Sequence, residues 1–343
     1  MGEAELSVPA IGKPTRRGVI DSAFTWVEQL PGTAVPWIIG GSIALAFVAH
    51  AATWLAGETP FGEPRPELLF PIPFLAFFLL LIVALDAVAH DSFDAFRPAL
   101  DQPADVVDRL RADLTSIPDV AGGITIAIWA LLTFLGQDPA NAYGGPPVTG
   151  LILGVLWFLT NSALALLVVH TLRQLRQVGR LQALAVQVDL LDPAPINAFS
   201  RLTAATAGGI LTVGVLFALV DAGDPTPAGI VAEIVIAVIA GAFFVLPLRG
   251  MHGRLAAEKG RLLGNANARL RAVIDQIHEM IDTRDLDRAD ALEKAQAALL
   301  AERELYLKLS TWPWSTSTFR GVLSAVMLPI FIGIVLRVIS RFI

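Results

Sequence analysis

The sequence predicts an all-α, polytopic membrane protein with about seven transmembrane helices and a cytoplasmic helical hairpin between the sixth and seventh. Three observations carry this. Of 343 residues, 55% are hydrophobic and only 16% charged, with a mean hydropathy of +0.63, so there is too little polar surface to solvate a soluble fold of this size. The apolar residues gather into runs that approach the roughly 17 to 25 residues a helix needs to cross a bilayer. One charged stretch, Leu248 to Thr318, interrupts them and carries helical stripes of its own.

Four regions follow: a tail, 1–34, with an interfacial amphipathic helix; a six-helix membrane region, 35–248; the helical hairpin, 249–319; and a last transmembrane helix, 320–343. In the tail, Arg16-Arg17 precede Val19, Ile20, Ala23, Phe24, Trp26, Val27 and Leu30. Asp21 and Glu28 interrupt that run, which favours a helix lying on the membrane over a signal peptide or a twin-arginine signal. The expected spans are Val35 to Ala56, Leu68 to Ala89, Val120 to Gly136, Val148 to His170, Ala204 to Val220, Ala228 to Leu248 and Arg320 to Ile339. The third and fifth are short and rich in Gly and Thr.

Lys and Arg orient the spans. Lys13, Arg16 and Arg17 precede the first, Arg97, Arg109 and Arg111 follow the second, and Arg173, Arg176, Arg180 and Arg201 follow the fourth. By contrast, Gln137 to Pro147 and Asp221 to Pro227 hold no Lys or Arg, and Gly57 to Glu67 holds only Arg65. The expected localisation is the cell membrane, with a cytoplasmic N-terminus and an outside C-terminus; Arg337 and Arg341 at that outer end run against the rule.

The inner connections read as helical. The second span continues through Phe96 to Arg97-Pro98, and Pro103 to Leu114 forms a short helix. Leu172, Leu175, Leu181 and Leu184 extend the fourth span until Asp192-Pro-Ala-Pro195 stops it, and Asn197 or Ser200 is suited to cap the fifth. In the insert, Leu255, Leu262, Leu270, Val273, Ile277 and Ile281 stripe one helix. Leu292, Ala295, Leu299, Tyr306 and Leu309 stripe a second, with Glu302 interrupting the seam and acceptors between Asp282 and Asp290 suited to cap it. Leu270, Ile277, Leu292, Leu299 and Tyr306 are the assembly contacts this pattern predicts. Thr311-Trp-Pro-Trp-Ser315 then breaks the helix and sets two indoles at the return to lipid.

Ionisable residues inside lipid are costly, so each is a candidate site. Asp86, His90 and Asp94 recur every four residues, and His170 and His252 end the fourth and sixth spans on the same side. Together they could relay protons or hold a metal, while interfacial solvation is the plainer role. No spacing marks a haem, no cofactor is implied, and His50 is expected at the interface. Glu233 sits within the sixth span and must face protein or water, or be protonated. The last span carries Arg320, Ser324, Met327, Pro329, Ile330, Ile334, Arg337 and Arg341. Packed around a shared axis, it would put arginines at both mouths of an apolar constriction.

Absent patterns narrow the class. There is no Cys, no Walker A sequence, no Gly-x-Ser-x-Gly elbow, no His-Glu-x-x-His and no two-glycine dinucleotide fingerprint, which disfavours an enzyme. Lys13, Lys259, Lys294 and Lys308 are the only lysines and fall outside the spans, so a retinal Schiff base has no attachment point. A net charge of -6 without a basic run disfavours nucleic acid. The expected function is a homo-oligomeric channel or channel-like pore lined by the last span and assembled through the hairpin. A non-conducting scaffold or signalling component that docks a cytoplasmic protein is the alternative, and a small-ion or proton-coupled transporter the third. The topology is similar in outline to insect odorant-receptor channels, a likeness of arrangement that rests on no shared motif.

The orientation is directly testable in this Cys-free chain. A Cys introduced at Gln296 is expected to react with an impermeant maleimide only after the inner face is opened, and labelling in intact cells would reverse the assignment.

Overall fold

The computed structural model describes residues 31–116, 119–136, 146–185, 189–220, 227–283 and 288–340. Among these residues the regular structure is helical throughout, without strands. The helices are α1 (Ala34–Leu55), the single turn α2 (Pro66–Leu69), α3 (Pro71–Phe96), α4 (Ala104–Thr115), α5 (Asp119–Gly136), α6 (Pro147–Leu184), α7 (Ala194–Val220), α8 (Pro227–Val245), α9 (Arg249–Thr283), α10 (Ala289–Lys308) and α11 (Thr316–Ser340). Short 3₁₀ turns, Arg97–Ala99 and Leu246–Leu248, follow α3 and α8. The expected amphipathic helix of the tail lies outside the described residues.

Five described stretches are long and apolar enough to cross a membrane: Ala34–Leu55, Pro66–Ala99, Pro147–Leu184, Ala194–Leu216 and Val231–Thr283, the last running on into the charged insert. They match the first, second, fourth, fifth and sixth expected spans. Over the third expected span only the shorter stretch Gly122–Leu131 qualifies as apolar, while α11 falls on the seventh. The protein is an all-helical membrane protein that crosses the bilayer more than once.

Internal contacts divide the chain into two units, Met1–Ala87 with Pro103–Gln177, and Val88–Gln102 with Val178–Ile343. In the first unit, Ala49, Leu68, Ile72, Leu153 and Leu156 form a core between α1, α2, α3 and α6. The α1 end is a paired turn: the Glu58 amide donates to Thr53 O and the Gly57 amide to Trp54 O, both at 3.1 Å. Gly57 takes φ +70°, which a residue without Cβ adopts freely. This turn delivers Glu58 to the start of α6. Its carboxylate accepts the amides of Val148 and Thr149 and the Thr149 hydroxyl, each at 2.8 Å, and so caps a helix 90 residues away in sequence.

Arg65 completes that cap by donating to Glu58 O (2.8 Å) and Thr59 Oγ1 (2.7 Å). Its amide donates to His50 Nε2 at 3.1 Å, and His50 Nδ1 lies 2.8 Å from Ala46 O. The ring therefore carries its hydrogen on Nδ1 and accepts at Nε2. His50, 6% exposed, is a buried linker between α1 and the loop, because both its nitrogens are used by backbone groups.

In the second unit, α7 packs on α8, and α11 packs on both. Ala207, Leu211, Ala237, Ala240 and Phe244 form the core, with Trp314, Val322, Ala325 and Val326 against it. Gly214 sets how closely α7 and α8 approach, since a Cβ there would lie 2.9 Å from Ile236 Cγ2. Helices α9 and α10 run antiparallel. Lys259 meets the carbonyls of Leu307 and Leu309 (both 2.8 Å), Arg303 Nε donates to Asn267 Oδ1 (2.9 Å), and Arg269 faces Glu302 at 3.8 Å. Of the expected seam, Leu255 is buried, Leu262, Leu270, Val273, Ile277, Leu292, Ala295, Leu299, Tyr306 and Leu309 are half-buried, and Ile281 is exposed. Tyr306 Oη donates to Glu302 at 2.7 Å, so the polar break in the seam is internally paired.

Two helix ends differ from expectation, each for a tertiary or local reason. Helix α6 stops at Leu184, before Asp192-Pro-Ala-Pro195, where Arg254 donates to Gln182 O and Ala185 O at 2.5 Å and takes up its orphan carbonyls. The proline pair instead opens α7, because Pro fits the first helical turn, where amides lack partners anyway. Ser200 and Asn197 are consequently inside α7, with Ser200 Oγ donating to Asn197 O at 2.7 Å, and cap nothing. Helix α10 begins after Arg288 with no side-chain cap; residues 284–287 of the expected capping stretch lie outside the described residues.

Two predictions follow from these contacts. Replacing Leu292 and Leu299 by Asp sets two charges in the α9–α10 seam and is expected to destabilise it by about 1–3 kcal/mol per site, read as a lower thermal midpoint; an unchanged midpoint would mean the seam is not a contact. Burial alone would raise the Glu58 pKa, but the amides of Val148 and Thr149, the Thr149 hydroxyl and Arg65 outweigh it, so the carboxyl titrates below its ordinary value. A depressed folded-state pKa contributes stability present above the unfolded value and lost as pH falls through the folded one. Native thermal stability should therefore drop from about pH 5 downward, and Glu58→Gln should flatten that drop while lowering stability at neutral pH.

Candidate functional site

The strongest site is polar chemistry buried among apolar helices. On α3, the run Pro71-Ile-Pro-Phe74 opens a helix whose apolar residues bury Phe78, Ile82 and Leu85, which leaves Asp86 beside that packed face. On α6, His170 and Gln174 stand one turn apart and therefore share a face. His170 Nε2 lies 2.8 Å from Asp86 Oδ1, and Gln174 Nε2 donates to the same oxygen at 3.2 Å. The imidazole is 1% exposed and the carboxylate side chain 15%. His170 Nδ1 and Gln174 Oε1 are both buried and make no hydrogen bond to the described residues.

The rest of the expected cluster is arranged differently. His90 is half-buried and Asp94 exposed, so the four-residue stripe from Asp86 leaves the interior as it runs along α3. His252 has a structural place: its Nδ1 meets Thr311 O at 2.8 Å and its ring stacks on Trp312 at 3.9 Å and 11°. That stack continues through Trp314 to Phe244 and Phe319, with centroid separations of 4.3, 5.1 and 5.8 Å. The indoles of the Trp-Pro-Trp stretch thus form a ladder with a histidine and two phenylalanines, beyond the interfacial role their sequence position implied. Among the described residues, no three histidine, aspartate or glutamate side chains gather where they could hold a metal ion.

Helix α11 has two faces. Val322, Ala325 and Val326 pack on the α7–α8 core, and Gly321, Val322 and Ala325 with Ala204, Gly208 and Leu211 line an apolar groove of about 260 Å³. On the opposite face Arg320, Ser324, Met327 and Phe331 are exposed. The helix continues through Pro329; the side chains of Pro329, Ile330, Ile334 and Arg337, and all of Arg341, lie outside the described residues. Glu233 is half-buried on α8 and no hydrogen bond or ion pair joins it to the described residues.

Gln174 was missed by the sequence reading, which searched for charge and histidine. Its signal is weak but present: in the α6 stretch Thr171-Leu-Arg-Gln-Leu-Arg-Gln-Val178, Gln174 falls one turn from His170, on the face that continues the buried Leu167 rather than with Arg173 and Arg176. No family model matches the chain, and comparison with curated proteins and with solved structures finds no match.

Proposed function

We propose that the protein is a homo-oligomeric membrane channel or channel-like pore, lined by α11 and assembled through the α9–α10 hairpin on the cytoplasmic side. In this reading all seven apolar segments span, with the N-terminus inside and the C-terminus outside. One observation supports it above the others. The face of α11 turned away from its own subunit bears Arg320 and Ser324 as well as Met327, a cation and a hydroxyl on one line. Copies meeting around an axis would turn that line toward water, and Arg337 and Arg341 would stand near the other mouth. Glu233, half-buried on α8, belongs to the same path in this reading.

The second reading, a non-conducting scaffold or signalling component, draws on α10, where Leu300, Leu305 and Leu307 are exposed and offer a cytoplasmic protein an apolar contact. Stoichiometry in detergent separates the two, since a strict monomer has no shared axis.

The pore reading makes a charge prediction. Arginine rings raise the local anion concentration in a narrow, low-dielectric mouth by a potential of several kT. In planar bilayers under a salt gradient, Arg320→Gln and the pair Arg337→Gln, Arg341→Gln should each move the reversal potential toward cations without loss of assembly. Conduction with an unmoved reversal potential would make the arginines lipid anchors; a non-conducting native oligomer would favour the scaffold.

A further inference from the structure

The groove between α7 and α11 is wider than the packing of the two helices requires. Ala204 and Gly208 line it on α7, and Thr318, Gly321 and Ala325 on α11. Glycine inside a helix is destabilising relative to alanine, so a close contact normally accounts for it. Gly214 has such a contact, since its Cβ would lie 2.9 Å from Ile236 Cγ2. At Gly208 and Gly321, by contrast, a Cβ would meet no atom within 4 Å. The approach of the helices therefore explains neither glycine, and together they widen an apolar groove of about 260 Å³ along the span.

A cation stands at the mouth of that groove. Arg201 precedes Ala204 by one turn on the same face of α7, is exposed, and is joined to the described residues by no hydrogen bond or ion pair. From Leu202 to Val220 the helix carries no further charge, so Arg201 marks the headgroup level of this span. Helix α11 begins at the same level, because Trp314 stacks at 5.1 Å on Phe244 at the end of α8, the helix that returns alongside α7. We propose that the α7–α11 groove holds one acyl chain of an anionic phospholipid, with Arg201 at its phosphate. A second helix, about 10–12 Å across with its side chains, is too broad to enter between two helices in contact, whereas a polymethylene chain is a single file of carbons. Hydrocarbon fills such a recess in a bilayer because bare apolar walls forfeit dispersion contacts. From Ala204 to Leu211 the helix rises about 10 Å, roughly a third of the bilayer core, so the groove receives the part of the chain nearest the glycerol and brings the phosphate to Arg201. An anionic headgroup is favoured over a zwitterionic one, whose own cation competes for that phosphate. Arg320 lies on the opposite face of α11, so this site does not depend on whether α11 lines a pore.

Native mass spectrometry of the full chain, purified in mild detergent with phosphatidylglycerol and phosphatidylcholine supplied together, tests the site. The native protein should retain phospholipid and prefer phosphatidylglycerol by about fivefold. Gly208→Leu with Gly321→Leu fills the groove where a Cβ has room, and should lower retention at least about tenfold. Arg201→Gln should retain lipid without the headgroup preference. Equal retention of the two lipids by the native protein, unchanged retention by the folded leucine pair, or a preference that survives Arg201→Gln overturns the proposal. A lower oligomer mass in the leucine pair with lipid retention unchanged would place a second copy of the chain in the groove and overturn it equally. Should the leucine pair fail to fold, phosphatidylglycerol carrying a diazirine early in its acyl chain decides the matter on the native protein. Its cross-links must fall between Ala204 and Leu211 or between Thr318 and Ala325, and cross-links confined to other segments sink the assignment.

Discussion

The opening turns of α9 carry the donors on which the second unit depends. A helix that ends near a membrane leaves its last carbonyls without partners, and water is scarce where they point. Arg254 supplies the end of α6, Lys259 supplies the end of α10, and His252 supplies Thr311 O in the stretch that leads to α11. His252 and Lys259 are seven residues apart and so lie on one side of α9, while Arg254 is close to the opposite side. Opposed anchors of this kind hold the start of α9 against sliding and rolling. Cations are also the favourable charge at a helix C-terminus, where the backbone dipoles leave a partial negative charge.

The stacked ladder is the apolar counterpart of those caps. Trp312 lies against His252 on α9 and Trp314 against Phe244 on α8, so the seven residues between α10 and α11 are bound to both α8 and α9. Proline at position 313 forbids a continuous helix from α10 into α11. The break is therefore a fixed corner: its backbone is held by His252 and Lys259, and its rings are held by face-to-face contact. Comparable logic holds in the first unit, where the Glu58 carboxylate caps the amide end of α6 and Arg65 holds the Glu58 carbonyl while its charge favours the carboxylate. In both units charged residues serve helix termini, whereas Asp86 meets a side chain within a span.

How much of this was legible depended on distance along the chain. The apolar runs announced α1, α3, α6, α7 and α8, the proline after Arg97 announced the end of α3, and spacings of three and four announced the stripes of α9 and α10. Each signal is complete within about twenty residues. The end of α6 was misplaced because the group that caps it is 72 residues away, and no local feature of Gln182 or Ala185 points to Arg254. The Asp86–His170 contact spans 84 residues and the Glu58 cap 90, so the sequence supplied the right residue types without the pairing. Gln174 was harder to read for a different reason: an uncharged amide has no formal charge, and its one signal is its place a turn from His170 on the face of the buried Leu167.

The division of labour on α11 follows from residue size. Gly321 and Ala325 are small and stand on the face that approaches α7, where Ala204 and Gly208 are small as well, so this contact is made largely by backbone and short side chains. Such pairing frees the helix from having to present large residues inward. Phe319, Leu323, Met327 and Phe331 are accordingly turned out, together with Arg320 and Ser324. If lipid alone met that outward face, apolar bulk would satisfy it, and the guanidinium would have to reach a headgroup from the first turns of the helix. Ser324, a full turn further in, has a backbone carbonyl of its own helix as the partner such a face allows, unless another subunit supplies one. Of the two, the arginine at the span's end can be met by the interface, whereas the serine deeper in can be met by its own helix backbone.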